Sequence, residues 1–186
     1  MIKKFFGFVF EIFKIVVISL VIIIPIRYFL IQPFYVKGAS MEPSFYDYEY
    51  LIINELDYRL NDPERGEVVV FRYPRHPQEY FIKRIIGLPG EAIEIRAGEV
   101  YLYNEEYLQG LRLQEDYLSV NTKTYSLNEE RVNLGVDEYF VLGDNRTASK
   151  DSRSFGAVNR SFMVGKVWLR GWPVERWDVF NELPSY

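Results

Sequence analysis

The sequence predicts an all-β body tethered to a single apolar N-terminal helix. Three observations carry that expectation. Residues 3–31, KKFFGFVFEIFKIVVISLVIIIPIRYFLI, form the sharpest compositional shift in the 186-residue chain. Aromatic residues make up 17% of it, with 15 Tyr and 14 Phe, and aromatics favour strands. After residue 32, short β-rich runs alternate with turn residues, and no segment sustains a helical apolar period or an internal repeat.

The helix comes first. Its uninterrupted uncharged run, Ile15–Ile26, is only 12 residues, short enough for a core helix or the apolar part of a cleavable signal peptide. Apolar residues continue on both sides, from Phe5 to Ile31, which gives ample length for the roughly 20 residues of a membrane span. Glu11 and Lys14 lie three apart and are placed to neutralise each other on a helix. Arg27 sits near the far end, where its stem can snorkel to the interface. No small-x-small cleavage site follows, since Tyr35-Val36-Lys37-Gly38 does not resemble one. The expectation is an uncleaved, single-pass anchor over residues 1–31 and a separate body over 32–186. Lys3, Lys4 and Lys14 precede the span against Arg27 and Lys37 near its exit. That slight positive-inside bias puts the N-terminus in the cytoplasm and the body outside.

The body reads as strands at Tyr50–Ile53, Glu67–Tyr73, Tyr80–Ile86, Ala92–Arg96, Val100–Tyr103, Glu138–Leu142 and Lys166–Arg170. Arg96-Ala97-Gly98-Glu99 reads as a hairpin turn. Residues 109–137 are more polar and poorer in strand signals, and mark a subdomain or long excursion.

Composition excludes several chemistries. There is no Cys and one His, so thiol nucleophiles, disulfides, Cys-ligated zinc and two-His zinc motifs are ruled out. The sequence implies no cofactor and no metal. His76, between Pro74 and Pro77, reads as an exposed, extended loop residue and not as a catalytic base. The body from residue 32 carries 18 basic and 25 acidic residues, about −7, which argues against nucleic acid as a partner and against a polybasic grip on lipid.

Three segments carry candidate chemistry. Ser40, in Gly38-Ala39-Ser40-Met41-Glu42-Pro43-Ser44, is a hydroxyl in a loop that Gly38 and Pro43 can hold in a fixed conformation near free backbone N–H groups. Alone, that pattern is more often just a turn. Lys83, in Tyr80-Phe81-Ile82-Lys83-Arg84-Ile85-Ile86-Gly87-Leu88-Pro89-Gly90, shares a strand face with Phe81 and Ile85, while Arg84 points the other way. Such neighbours desolvate an ammonium and lower its pKa, making the amine a general base. An edge-strand lysine that discourages aggregation is the blander alternative. The third segment, Gly143 to Arg153, is dense in hydrogen-bonding groups. If extended, it puts Asp151 and Arg153 on one face, and it reads either as a charged loop or as a polar network supporting a site.

Together, in this order behind an N-terminal span, these segments resemble type I signal peptidases, from the anchor to about Trp172. Gly38 to Pro43 is similar to the family's nucleophile box and Lys83 to Gly90 to its lysine box. Gly143-Asp144-Asn145-Arg146 with Ser149, Asp151, Ser152 and Arg153 is similar to its third box, and Arg65 to Phe71 to the strand leading towards the lysine. The resemblance implies a Ser/Lys dyad, with Ser40 as nucleophile and Lys83 as general base. It implies that Ser149 orients the lysine amine, that Asp151 and Arg153 form a supporting salt bridge, and that Asp144 belongs to the same support. Gly38 occupies a position where some members carry a serine hydroxyl for the oxyanion, so the hole falls to backbone donors around Gly38 and Ser40. Ser44 stands where the family often has Thr. The implied fold is an antiparallel β catalytic core with a small inserted β subdomain, assigned to 99–137. The implied partners are membrane lipid and secretory preproteins cut after a small-x-small motif.

Three rivals are carried. A self-cleaving repressor-type Ser/Lys peptidase is disfavoured by the span. An idle homologue serving membrane assembly would be expected to lose Ser40 or Lys83, and both are present. An organelle inner-membrane peptidase would carry a transit segment, which Lys3-Lys4-Phe5-Phe6 is not.

Overall fold

The computed structural model describes residues 2–29, 31–126, 130–181 and 183–184. Helix α1 (Ile2–Phe29) is the apolar segment expected from the sequence. Within it Phe5–Ile24, with mean hydropathy 2.6, is long and apolar enough to cross a membrane, and none of that stretch is buried against the body. Glu11 and Lys14 form no ion pair among the described residues. The side chains of Lys3, Lys4 and Arg27 lie outside the described set.

The rest is antiparallel β-structure. Strands β1 (Ile31–Tyr35), β2 (Tyr50–Asn54), β3 (Val68–Tyr73) and β4 (His76–Gly87) belong to the main sheet. Strands β5 (Ala92–Arg96), β6 (Glu99–Tyr103), β7 (Leu111–Arg112) and β8 (Val132–Asn133) form a second, four-stranded sheet in the order β7-β6-β5-β8. The chain then returns to the main sheet with β9 (Glu138–Leu142), β10 (Val158–Asn159), β11 (Met163–Trp172) and β12 (Asp178–Val179). The main sheet runs β1-β2-β11-β3-β4-β9-β10, with β12 against β11. Two one-turn helices, α2 (Asp57–Leu60) and α3 (Ser152–Phe155), lie in its connections.

Val68-Val69-Val70-Phe71 in β3 is apolar without alternation because both faces of this strand are covered. Val68 and Val70 pack with Val36, Met41, Phe45, Leu51, Ile53 and Val167, whereas Val69 and Phe71 pack with Tyr58, Ile85, Tyr139 and Val141. A third cluster, built from Ile86, Phe140 and Leu142 with Ile93, Ile95, Val100 and Leu102, joins the small sheet to the large one.

The strand expectations differ from the structure in instructive places. Strand β1 carries no strand signal of its own, since the apolar text from Phe5 to Ile31 runs into it and Pro33 interrupts it. Proline is tolerated there because β1 is an edge, paired only with β2. Strand β4 starts at His76 instead of Tyr80, with Tyr73 and His76 closing a tight hairpin. His76 is therefore exposed, as expected, but on a strand and not in an extended loop. The turn at 96–99 forms, with Ala97 and Gly98 at φ +51° and +81°, the two positive values that a two-residue type I′ hairpin requires. The small sheet takes in Ala92–Arg96, ahead of residue 99, because β5 and β6 pair residue by residue from Ala92↔Tyr103 to Arg96↔Glu99.

Candidate active site

Ser40 sits on the loop between β1 and β2, and that loop is fastened at both ends. At its base, Val36 N–H donates to Glu49 O at 2.9 Å and Tyr48 N–H to Val36 O at 3.1 Å. Gly38 adopts φ +86°, which favours glycine, and its N–H donates to Asp47 Oδ1 at 2.9 Å. In the middle Met41 and Phe45, each 1% exposed, are driven into the core. Ser40, immediately before Met41, is thus presented by the burial of the residues that follow it.

Lys83 reaches Ser40 from β4. Its Nζ lies 2.7 Å from Ser40 Oγ and donates to the Ile82 carbonyl at 2.7 Å. The residue is only 3% exposed, and the Phe81 ring centroid lies 5.5 Å from the Nζ. Burial pushes the ammonium down from 10.5 to about 8, against the opposing pull of the Asp151 and Asp144 carboxylates. Arg84, expected on the opposite face, is buried as well. It forms a two-pronged pair with Asp144, Nε to Oδ1 at 3.0 Å and Nη2 to Oδ2 at 2.7 Å. Ser44 Oγ donates to the same carboxylate at 2.6 Å, so Asp144 links the Ser40 loop to the Lys83 strand.

The third segment packs behind both. Asn145 N–H donates to the Ser40 carbonyl at 3.1 Å. Gly143 leaves no room for a side chain, because an added Cβ would collide with Ser149 Oγ and the Ser40 carbonyl oxygen. Its N–H donates to Asp151 Oδ2 at 3.0 Å. Asp151, fully buried, pairs with Arg153 at 2.7 Å. This pair does not use an extended strand: Asp151 caps the N-terminus of α3 and accepts the Arg153 N–H. Burial pushes the Asp151 carboxyl up, but the Arg153 guanidinium and the Gly143 N–H outweigh it and hold it below the ordinary range. The Ser149 Oγ lies against Gly143, has no hydrogen bond to Lys83, and its hydroxyl helps to hold the Asp151 carboxyl down.

A cleft of about 390 Å³ opens beside the pair, with Phe34, Val36, Leu51, Val70 and Ile82 as apolar walls and Ser40 and Lys83 among its other lining residues. A serine hydroxyl against a desolvated amine, beside a mostly apolar cleft, is equipped for attack on a carbonyl.

The family model described as signal peptidase, peptidase S26 matches residues 9–172. The chain belongs to that family. By membership it is a serine endopeptidase. It is 39% identical over 177 residues to a probable signal peptidase I-2 of Synechocystis, covering 92% of this chain and 77% of the relative. A signal peptidase I of Leptolyngbya laminosa is 34% identical over 93% of this chain and 84% of its own length. Signal peptidase IB of Staphylococcus aureus is 33% identical over 85% and 86% respectively. A crystal structure of a signal peptidase I from Enterococcus faecalis, 33% identical, superimposes on 57% of this chain and 97% of its own, with a TM-score of 0.47.

Several contacts around the family's boxes were not singled out in the sequence. Arg170 of β11 donates to the Ser44 carbonyl at 2.8 Å, and Arg176 packs its guanidinium 4.2 Å from the Tyr46 ring centroid. Both lie within ion-pair distance of buried Glu49, at 3.5 and 3.3 Å. Arg146, also buried, donates to Gly143 O at 3.0 Å and to Glu115 at 2.5 and 2.9 Å, tying the third segment to the chain that follows β7. The only signal was a set of charged residues inside or beside apolar strands, whose partners lie far away in sequence.

Proposed function

We propose that Ser40 and Lys83 form the catalytic dyad of a membrane-anchored peptidase that removes signal peptides from secretory preproteins. The observation that carries this reading is the 2.7 Å approach of Ser40 Oγ to the Nζ of a lysine held near pKa 8. At pH 7 roughly a tenth of such amines are neutral, against less than a thousandth for an unperturbed lysine.

In the proposed reaction the neutral Lys83 amine removes the Ser40 proton as Oγ attacks the scissile carbonyl. The oxyanion faces the Ser40 N–H, because the Gly38 N–H is already given to Asp47. Gly38 contributes by setting the loop's turn. The Lys83 ammonium returns its proton to the leaving amine, and the freed amine then activates a water that hydrolyses the acyl-enzyme. Asp144 with Arg84 and Ser44, and Asp151 with Arg153, hold the two catalytic segments in register. Ser149 is assigned to orient the Lys83 amine, a bond its hydroxyl would make by turning from Asp151.

The apolar cleft suits the small and apolar residues at the end of a signal peptide. Helix α1 would cross the membrane once with the N-terminus inside, leaving the β body over 32–186 at the outer surface, where Phe34, Tyr35, Phe45 and Tyr46 flank the nucleophile. The reading of an idle assembly factor draws no support, since Ser40 and Lys83 are both present and in contact. The deciding experiment is cleavage of a model preprotein by membranes carrying the natural protein or Ser40→Ala. Loss of cleavage with unchanged folding is expected, and retained cleavage would sink the dyad.

A further inference from the structure

The loop carrying Ser40 and the third segment run side by side, joined by the bond from Asn145 N–H to Ser40 O, and both pass from one cavity to another. Gly38, Ala39 and Ser40, with Ala148 and Lys150, line the apolar cleft. Glu42, Pro43 and Tyr46, with Asp144 to Thr147, line a second cavity of about 480 Å³, closed on its far side by residues 119–125 of the connection after β7. Ser40 therefore stands at the border between two cavities that share the same two walls. If the acyl side of a substrate fills the first, the amine side leaves towards the second. An extended peptide advances about 3.3 Å per residue, so three residues reach about 10 Å.

The two cavities differ in chemistry. The second is lined by hydroxyls, amides and charges, among them Ser119, Thr122 and Asn145. Its charged groups are mostly engaged: Asp144 with Arg84, Arg146 with Glu115, and Lys123 with Glu99 at 3.6 Å. The half-buried Glu42 is the exception, with no side-chain hydrogen bond or ion pair among the described residues.

We propose that this cavity receives the segment of the preprotein that follows the scissile bond, and that Glu42 makes it prefer a basic over an acidic residue there. The inference rests on the preprotein-cleaving function proposed above. It adds a specificity determinant on the mature side of the cut, with Glu42 as its charged residue and the 119–125 connection as its outer wall.

The test uses the full-length protein in detergent micelles and four preprotein substrates identical up to the cut. Two carry Lys or Glu as the third residue of a long mature segment; the other two end at the sixth mature residue, with Lys third, or at the second. In the natural protein, kcat/KM for the Lys substrate should exceed that for the Glu substrate about threefold, the scale of one partly solvated charge pair. Glu42→Gln should bring the ratio close to one. Ser119→Trp, which fills the cavity from its outer wall, should lower kcat/KM about tenfold for the six-residue substrate and leave the two-residue one unchanged. The unchanged short substrate also reports intact folding. A ratio that Glu42→Gln does not alter, or a Ser119→Trp effect that is equal for both lengths or absent, overturns the proposal. Failure of the natural protein to cut any of the four would instead overturn the underlying function, and this inference with it.

Discussion

Two lysines flank the same residue of β3 and have opposite fates. In the main sheet Val69 is the register partner of Lys83 on β4 and of Lys166 on β11. Lys166 meets Asp57 at 2.7 Å and Glu67 at 2.8 Å. Burial lowers its pKa, but those two carboxylates outweigh that and raise it. Lys83 meets a serine hydroxyl and a carbonyl, and its nearest carboxylates are engaged by Arg84 and Arg153, so burial wins and its pKa falls to about 8. The lesson is that burial lowers or fails to lower a sheet lysine's pKa according to whether a carboxylate not already paired with an arginine is within reach.

The largest effect that tests this contrast is on activity. Lys83→Met should lower preprotein cleavage by about 10⁴-fold or more, the scale for removing one member of a unit that acts together, and Lys83→His should not rescue it. Lys166→Met should leave cleavage within a few fold. A comparable loss in both would erase the distinction.

Stability should move the other way. The folded pKa of Lys83 lies below the unfolded value. The folded state therefore bears the full cost of burying the ammonium below pH 8, and stability recovers as pH rises from about 8 to 10.5. That cost is on the order of 3 kcal/mol from a shift of this size, so Lys83→Met should raise the melting temperature at pH 7. Lys166 has a raised pKa, so its stabilisation is present below its unfolded value and is lost as pH rises through the folded one. Lys166→Met leaves the buried Glu67 without its cation and should cost about 2 kcal/mol, read as a lower melting temperature.

In the pH profile, kcat/KM should fall about tenfold per pH unit below pH 8 as Lys83 takes up its proton. A limb only near 10.4 would mean that the amine is not desolvated in solution. A smaller effect belongs to Arg170, which holds the Ser44 carbonyl. Arg170→Met should reduce kcat about tenfold with KM nearly unchanged, as expected when a nucleophile is misplaced and binding is not. Smallest of all, His76→Ala should keep activity within about twofold, since the residue is exposed and its ring lies 5.8 Å from that of Tyr73.

Much of this molecule is legible in its sequence. The apolar text before residue 32, the alternating runs and the Ala97-Gly98 turn are local signals, and each acts through its own backbone or side-chain period. The three chemical segments were legible as types of residue at particular positions, and their resemblance to the family named the pairing of Ser40 with Lys83. Other features depend on partners far away in the chain. Arg84 was expected to face away from the lysine because strand alternation says so; it is buried because Asp144, 60 residues on, offers a carboxylate. Strand β1 hid behind the anchor, since one apolar run serves a helix and then an edge strand. Arg170, Arg176 and Glu49 gather behind the Ser40 loop because β11 lies beside β2.

The sequence by itself determined the anchor, the β body and the chemical vocabulary: a hydroxyl, an amine and no usable histidine. Tertiary structure decided the proton affinity of each lysine. Two lysines of one sheet differ in proton affinity because one has, within 3 Å, carboxylates that no arginine pairs with among the described residues, and the other does not, and that difference comes from the packing of strands distant in sequence.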